Sequence, residues 1–392
     1  MNIGVFFGSR SAEHDISIIT AQLIIAGLKG LGYQVVPVYI TKKGEWLIDE
    51  KFGEMKTFAD PSLTLPLKGE EKWWLDMEKS LGKMVFKKKG LLGKSIIIDL
   101  AFPALHGTFG EDGTIQGLFE MFRVPYVGCD VASSAIAMDK ALTKQLYQQH
   151  NIATTKFVYF YKKDWLENKE DIINRIKNEL SWPVFVKPVH LGSSIGIAKL
   201  KDMNSKDLEF RIEVTLHYDN KVLVEESVEN LMDVTCCVIG NENLRASLLQ
   251  ETVFEAELLD FEEKYITKGG AQTGKAQGNI IIPARLDEEI TKQIQEMAKK
   301  IYCILGCSGI ARVDFLYNKQ TNKFYANEVN PLPGTLYHHL WKASGLELNK
   351  LLQELIRLAE ERHEEKRQIT HTFESSVLKN LKGSKFQSLK LQ

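Results

Sequence analysis

Between positions 310 and 334 the chain reads IARVDFLYNKQTNKFYANEVNPLPG, and four of its residues, Arg312, Asp314, Glu328 and Asn330, are of types that could do chemistry together. Two apolar runs, 310–317 and 323–329, flank the turn-forming cluster NKQTNK, a pattern that predicts a β-hairpin. With the turn centred near Thr321, Asp314 falls opposite Glu328 and Arg312 opposite Asn330. Side chains two apart on a strand share a face, so these four point one way while Val313, Phe315 and Val329 point the other. Two carboxylates directly across a strand pair repel each other, an arrangement that makes sense around a cation. Two carboxylates and an amide oxygen, with no thiolate or imidazole among them, suit Mg²⁺. Mg²⁺ held by few protein oxygens completes its shell with phosphates, so the set points to a nucleoside-triphosphate site with Arg312 beside it. Taken alone, the hairpin also fits a solvated face with no ligand.

Other stretches carry partners for such a site. In WPVFVKPVHLGSSIGIAKL (182–200) a strand over 183–187 leads into a loop with Gly192, Ser193, Ser194 and Gly196, then into a second strand. A Gly/Ser loop of this kind offers backbone N–H donors to phosphates, and Lys187 reaches them as a point charge. A hairpin loop without a ligand fits the spacing equally. The pattern G-x-x-x-x-G-K-[ST] is absent, so this is not a P-loop. KVLVEESVENLMDVTCCVIG (221–240) reads as strand, short break, strand, and adenine commonly docks on such a break through backbone hydrogen bonds. The stretch 249–286 holds a long Gly/Gln/Lys-rich loop, the composition of a lid or a disordered segment. Glu13 and His14 stand at the entrance of a helix, at the carboxyl end of the first strand, where doubly wound sheets place ligands. Complementarity to the helix dipole accounts for Glu13 by spacing alone. His106 opens a Gly-rich loop, where a lone histidine is more often structural than catalytic. Lys140 falls within a helical run, a setting in which most lysines are solvated.

The elements that must position these residues are those of an α/β protein. A length of 392 residues suggests two or three domains. With 44% hydrophobic and 26% charged residues the composition is that of a soluble globular protein. A net charge of −1 leaves no electrostatic footprint for nucleic acid and none for a membrane surface. The opening MNIGVFFGSR lacks a basic lead, its apolar run is too short for a signal peptide, and no stretch reaches the length of a membrane span. Cys129, Cys236, Cys237, Cys303 and Cys307 fit neither a disulfide framework nor a zinc pattern and are expected to be buried, reduced thiols. NIGVFF, the helix ISIITAQLIIAGLKGLG and QVVPVYI make a βαβ unit. TKKGEWLIDEKFGEM looks like a hairpin or an irregular excursion, and 41–95 as a whole is taken as an insertion, with the lysines 87–89 in a solvated loop. SIIIDLAFPAL (95–105) is expected to be one buried strand, and 133–151 one helix opened by Ser133 or Ser134. DEEITKQIQEMAKKIYCILG is an amphipathic helix with Ile290, Ile294, Met297, Ile301 and Leu305 on one stripe. Two further helices follow the hairpin, and the tail 363–392 is polar.

Seven segments in order, FFGSRSAEHDIS, ALHGTFGEDGTIQGLFE, MDK at 138–140, VKPVHLGSSIG, LDFEEKY, ARVDF and NEVNPLPG, resemble the motifs of the D-alanine–D-alanine ligases, members of the ATP-grasp superfamily. The resemblance spans about residues 2–360. It implies an N-terminal doubly wound α/β domain (1–132, with the insertion at 41–95) followed by a two-subdomain ATP-grasp fold of α+β character, divided at 133–227 and 228–362. It implies that Lys140, Lys187, Ser193 and Ser194 bind the phosphates of ATP together with Lys264. Glu225, Glu226 and Val228 would line the adenine and Asp233 the ribose, although the family generally has glutamate at that last position. Asp314, Glu328 and Asn330 would hold two Mg²⁺ ions, with Mn²⁺ a possible substitute. Arg312 and the backbone N–H of Gly334 would stabilise the oxyanion of the tetrahedral intermediate. Glu13, Ser193 and the lid tyrosine Tyr265 would form a hydrogen-bonded set that positions the first substrate and secures a lid over 259–280, and His106 would lie at the same substrate.

One departure stands out. After NPLPG the family typically carries a serine that receives the carboxylate of the second D-alanine, and here His339, followed by Leu340, occupies that place. A histidine can still donate there if protonated or in the right tautomer. The activity implied is ATP-dependent ligation of two amino acids through an acyl phosphate, most simply D-Ala with D-Ala for peptidoglycan precursors, by a cytoplasmic homodimer. A variant ligase with another amino-acid or hydroxy-acid acceptor is the alternative that His339 raises. A non-catalytic nucleotide-binding protein would predict damage to the metal or phosphate residues, all of which are present. An NAD-dependent oxidoreductase lacks its glycine fingerprint.

Overall fold

A computed structural model describes residues 1–59, 73–88, 94–192, 195–253 and 280–376. The first sheet runs β3 (Trp46–Ile48), β2 (Gln34–Ile40), β1 (Asn2–Gly8), β7 (Leu100–Pro103). β1 pairs in parallel with both β2 and β7, and its nearly continuous apolar sequence reflects burial on both faces. Helix α1 (His14–Gly30) crosses between β1 and β2 and buries Ile18, Ala21, Ile24, Ile25 and Leu28, the stripe that a 3.6-residue period dictates.

The region 41–95 is less separate than its sequence suggests. β3 closes a hairpin onto β2, with Val38 against Ile48, and so extends the main sheet. β4 (Trp73–Leu75) and β5 (Met84–Lys88) join β6 (Ser95–Ile98) in a small antiparallel sheet. Lys87 and Lys88 therefore belong to a strand, and Lys87 pairs with Asp76 at 2.6 Å. The expected single strand 95–105 is two strands. Asp99 parts them: its carboxylate accepts from the N–H of Asn2 at 2.7 Å and its own N–H donates to the Asn2 carbonyl at 2.9 Å.

The expected helix 133–151 is likewise two. After α2 (Thr114–Met121), a capping box between Asp130 and Ser133 opens α3 (Val131–Met138). Asp139 then leaves the helical conformation and caps α4 (Lys140–Gln149) by accepting from the N–H of Leu142. Next come an antiparallel sheet of order β10 (Ala198–Leu200), β9 (Val184–Pro188), β11 (Lys221–Glu226), β8 (Phe157–Tyr161), covered by α5 (Lys162–Glu167), α6 (Lys169–Glu179) and α7 (Ser205–Tyr218).

The last sheet has the order β14 (Ile280–Ile281), β13 (Arg245–Thr252), β12 (Leu231–Gly240), β15 (Gly309–Asn318), β16 (Lys323–Asn330). The anticipated lid segment thus ends in a strand at Ile280, and 259–279 lies outside the described residues. Helix α8 (Glu288–Ile304), capped by Asp287, buries Ile294, Ala298, Ile301 and Tyr302 against this sheet. After a turn over Gly334–Tyr337, α9 (His338–Ala343) and α10 (Leu348–Arg367) return to the first sheet. Leu336, Leu340, Trp341, Leu351, Leu352 and Leu355 share one core with Ile3, Val5, Phe7 and Ile24. Residues 363–367 of the expected tail continue α10, and Lys366 pairs with Glu120. The cysteines are free; Cys303 is exposed, contrary to expectation, and the other four are buried. No helix among the described residues is long and apolar enough to cross a membrane.

Candidate active site

The hairpin β15–β16 has the register that its chemistry demands. Arg312 pairs with Asn330 and Asp314 with Glu328, while Val313, Phe315 and Val329 are buried in the core behind the sheet. The turn is one residue tighter than anticipated, since Asn318 already pairs with Lys323. A β-bulge between Asp314 and Phe315 restores the register ahead of the four polar residues.

On the polar face the charges compensate one another. Arg312 Nε lies 3.0 and 2.9 Å from the two carboxylate oxygens of Asp314, and Nη2 lies 2.5 Å from Oδ2. Its Nη2 is also 3.7 Å from Glu328. Thr235, opposite Asp314 on β12, donates to Oδ1 at 2.8 Å. Lys140 Nζ lies 3.8 Å from Glu328 and donates to the Leu191 carbonyl at 2.7 Å. Lys140 thus links the metal-ligand candidate Glu328 to the chain at Leu191. Among the described residues no group of three or more His, Cys, Asp or Glu is placed to hold a metal ion. Two hard carboxylates and the Asn330 amide, whose Oδ1 also accepts from Leu332 N–H at 3.0 Å, fit an ion that takes its remaining ligands from phosphate and water.

Beside this face is a buried ionic cluster whose Lys144 also senses the charge of Glu328. Glu225 on β11 accepts from Lys144 Nζ at 2.8 Å, from Thr155 at 2.8 Å, and from Lys187 of β9. Burial opposes ionisation of Glu225, but Lys144 and Lys187 outweigh it and hold the carboxyl well below the usual range. Burial pushes the Lys144 ammonium down, opposed by Glu225. Glu226, one residue on, takes the opposite face of the strand and caps the N–H of Ser181 at 2.8 Å. Val228 lies in the break between β11 and β12, and Asp233 on β12 opposite Thr252.

At the carboxyl end of β1, Glu13 sits between two glycines. A Cβ on Gly107 would lie 2.6 Å from Ser11 Oγ and 2.8 Å from Glu13 Oε2, and one on Gly192 would lie 3.2 Å from both Glu13 oxygens. Gly107 has φ +68°, a conformation that glycine adopts without strain. His106 is buried. Its Nδ1 faces Glu111 at 3.4 Å and its Nε2 faces Thr20 Oγ1 at 2.8 Å. Thr20 Oγ1 in turn accepts from the N–H of Thr335 at 3.0 Å. His106 thus anchors the turn that begins at Gly334.

That turn is left-handed at three successive non-glycine residues, Thr335, Leu336 and Tyr337, with φ of 50°, 55° and 49°. Each costs roughly 1–2 kcal/mol, and such strain persists only where the surroundings impose it. The conformation lays Tyr337 against Arg312, with the guanidinium 5.1 Å from the ring centroid. His339 follows, its Nε2 2.7 Å from Gln250 Oε1. Burial, with His338 adding to it, lowers its pKa to about 4. Leu340 is fully buried in the core. Ser193, Ser194, Lys264 and Tyr265 lie outside the described residues.

Residues 2–129 match the family model described as D-ala D-ala ligase N-terminus and residues 146–357 the one described as D-ala D-ala ligase C-terminus. The chain belongs to the D-alanine–D-alanine ligase family. Relatives named D-alanine–D-alanine ligase occur in Thermosipho melanesiensis, 39% identical with 97% of this chain and 98% of the relative covered, and in Caldicellulosiruptor bescii, 38% identical with 95% and 99% covered. Among solved structures, the D-alanine–D-alanine ligase of Coxiella burnetii superposes with a TM-score of 0.77 at 29% identity, covering 98% of each chain. VanG D-Ala:D-Ser ligase from Enterococcus faecalis superposes at 0.76 with 33% identity, covering 91% of this chain and 99% of that one. The ATP-grasp architecture expected from the motifs is thus the fold of this chain. Enzymes of the D-alanine–D-alanine ligase family are ATP-dependent and ADP-forming and generally require Mg²⁺.

Sequence reasoning did not single out Lys144, Thr20, Thr235 or Tyr337, which contact the candidate residues Glu225, His106, Asp314 and Arg312 respectively. Lys144 alone left a trace, four residues after Lys140 and so on the same helical face. The others are joined to the site by pairings distant in sequence.

Proposed function

We propose that this protein is a D-alanine–D-alanine ligase that makes the dipeptide for peptidoglycan precursors, and so serves wall synthesis and cell shape. The observation that carries the reading is the face shared by Arg312, Asp314 and Glu328, with Lys140 opposite: two metal-binding carboxylates beside cations suited to a triphosphate and an oxyanion. Lys140 and Lys187 bind ATP phosphates, with Ser193, Ser194 and Lys264 completing the cradle. Glu225, Glu226 through its backbone, and Val228 border the adenine, and Asp233 the ribose.

A carboxylate is a poor electrophile. One oxygen of the first D-alanine attacks the γ-phosphorus, the bond to ADP breaks, and an acyl phosphate results. The amine of the second D-alanine then attacks the acyl carbon, the bond to phosphate breaks, and the departing inorganic phosphate takes up the proton that the nitrogen loses. Both steps need charge neutralisation and positioning more than covalent help. Arg312 and the Gly334 N–H stabilise the oxyanion. Glu13, with Ser193 and Tyr265, orients the first substrate beside His106, and the lid keeps water from the acyl phosphate. Asp314, Glu328 and Asn330 would hold two Mg²⁺ ions, which would neutralise phosphate charge when bound, and Mn²⁺ would suit the same oxygens. His339 lies at the acceptor carboxylate, with Leu340 packed behind it. The predominance of D-alanine–D-alanine ligases among the relatives favours D-alanine as acceptor over a variant substrate. A soluble cytoplasmic homodimer completes the proposal.

The test is ADP release with purified protein, ATP, Mg²⁺ and single D-amino acids, with the product identified by mass. D-Alanine alone should suffice and give D-alanyl-D-alanine. ADP release that requires D-serine or a hydroxy acid would replace this assignment.

A further inference from the structure

His190 has no role in the mechanism above, yet it occupies a built site. It stands where β9 gives way to the arm carrying Leu191 and Gly192. Its Nδ1 lies 3.0 Å from Asp219 Oδ1 and its Nε2 3.3 Å from Asp139 Oδ2, while its backbone N–H donates to Asp219 Oδ2 at 2.7 Å. The two acids come from different elements, Asp139 from the cap of α4 and Asp219 from the end of α7. Among the described residues the other charged groups facing the cluster are Lys221 of β11, 2.7 Å from Asp139 Oδ2, and Lys140 beside Asp139. Carboxylate oxygens only accept, and a neutral imidazole has one N–H, so both contacts are satisfied together only by the imidazolium. Asp139 and then Asp219 raise the His190 pKa to about 9, against burial.

We propose that His190 is a positioning residue whose imidazolium ties the strand exit at Leu191 to the start of α4, and thereby sets Lys140 for the phosphates of ATP. The link is direct: the carbonyl of the residue after His190 accepts from Lys140 Nζ at 2.7 Å. Charge acts in the same direction. Protonated His190 and Lys221 balance Asp139 and Asp219, whereas the neutral imidazole leaves one uncompensated negative charge next to Lys140, where an anion must bind. The inference rests on the ligase reading only in taking the cleft at Lys140 as the triphosphate site.

The experiment is calorimetric titration of Mg-ADP from pH 6 to 10 with wild type, His190→Gln and His190→Lys, alongside KM for ATP, KM for D-alanine and kcat. Wild-type nucleotide affinity should hold to about pH 8 and decline through 9. His190→Gln should lose roughly tenfold in nucleotide affinity at pH 7, the worth of one charge-assisted contact, with KM for D-alanine unmoved and no decline near pH 9. His190→Lys should restore most of the affinity at pH 7 and shift the decline upward. Equal affinity of His190→Gln and wild type at pH 7, or the same decline near pH 9 in His190→Gln, would overturn the proposal. If His190→Gln does not fold, the wild-type and lysine profiles decide alone, and a decline common to both overturns it. A wild type that binds Mg-ADP with the expected profile but releases no ADP with D-alanine would sink the ligase reading and leave this one standing.

Discussion

Replacing Glu225 by glutamine removes a charge from a site closed to bulk solvent. Glu225 is 2% exposed and is the counter-charge of both Lys144, 1% exposed, and Lys187. Removing one partner of a buried pair costs about 3–5 kcal/mol because the other charge stays buried and unpaired. Lys187, nearer the surface, can turn outward, but Lys144 is walled in and keeps, as hydrogen-bond partners among the described residues, only the neutral hydroxyls of Thr154 at 2.8 Å and Thr155 at 3.0 Å. Lys144→Met leaves Glu225 paired with Lys187 and should cost less, about 1.5–3 kcal/mol for a hydrogen bond to a charged group. The double variant should be more stable than the sum of the singles by about 1–3 kcal/mol, since the groups are in contact. Urea unfolding followed by tryptophan fluorescence suits the assay, because Trp165 and Trp182 belong to the core of this sheet. Acid should give a matching signature. The Glu225 carboxyl is held below its ordinary 4.5, so its contribution is present above that value and is lost as pH falls below it. Glu225→Gln should abolish that part of the acid slope. Wild-type stability in Glu225→Gln, or strict additivity in the double variant, would refute the account of the triad.

Gly107→Ala should lower kcat/KM roughly 100-fold by pushing Glu13 aside, with about 1 kcal/mol of lost stability from the strained φ; steady-state kinetics and melting check both. Mg²⁺ should bind weakly without nucleotide, because it must first displace the Arg312 fork from Asp314, and more tightly with ADP present. Calorimetry of Mg²⁺ with and without ADP tests this, and equal affinities would contradict it. His339, lowered to about 4 from 6.5, is neutral in the folded protein where the unfolded chain would bind a proton. Stability should therefore fall as pH drops from 6.5 toward 4, and His339→Gln should flatten that part of the profile measured by urea unfolding.

The polar face of the hairpin was legible because period-two alternation and a turn cluster both appear in the sequence. Its register was legible only in part. The bulge places Glu328 rather than Asn327 across from Asp314, and nothing in the alternation announces it; without the extra residue the carboxylate would face the core. Asp99 and Asp139 each interrupt a run that reads as continuous, because one carboxylate able to cap or accept from backbone N–H groups outweighs the propensity of its neighbours. Lys140 looked like any helix lysine. Its burial follows from Asp139 ending one helix and starting another, which turns Lys140 toward β9 and the hairpin. The chain from Glu111 through His106 and Thr20 to Thr335 joins residues far apart in sequence, and only the tertiary structure brings them together.

The core beneath the first sheet draws Ile3, Val5 and Ile24 together with Leu336, Trp341, Leu351 and Leu355. Arg362 of α10 donates to the carbonyls of Gly128 and Tyr126 and to Ser308. A ribosome makes α1 long before α10. While the middle of the chain is being translated, one side of the opening βαβ unit has nothing apolar to close upon and is open to aggregation or to chaperones. That unit reaches its native packing only when α10 arrives, so premature stops anywhere before α10 should yield a protein that is insoluble rather than merely inactive.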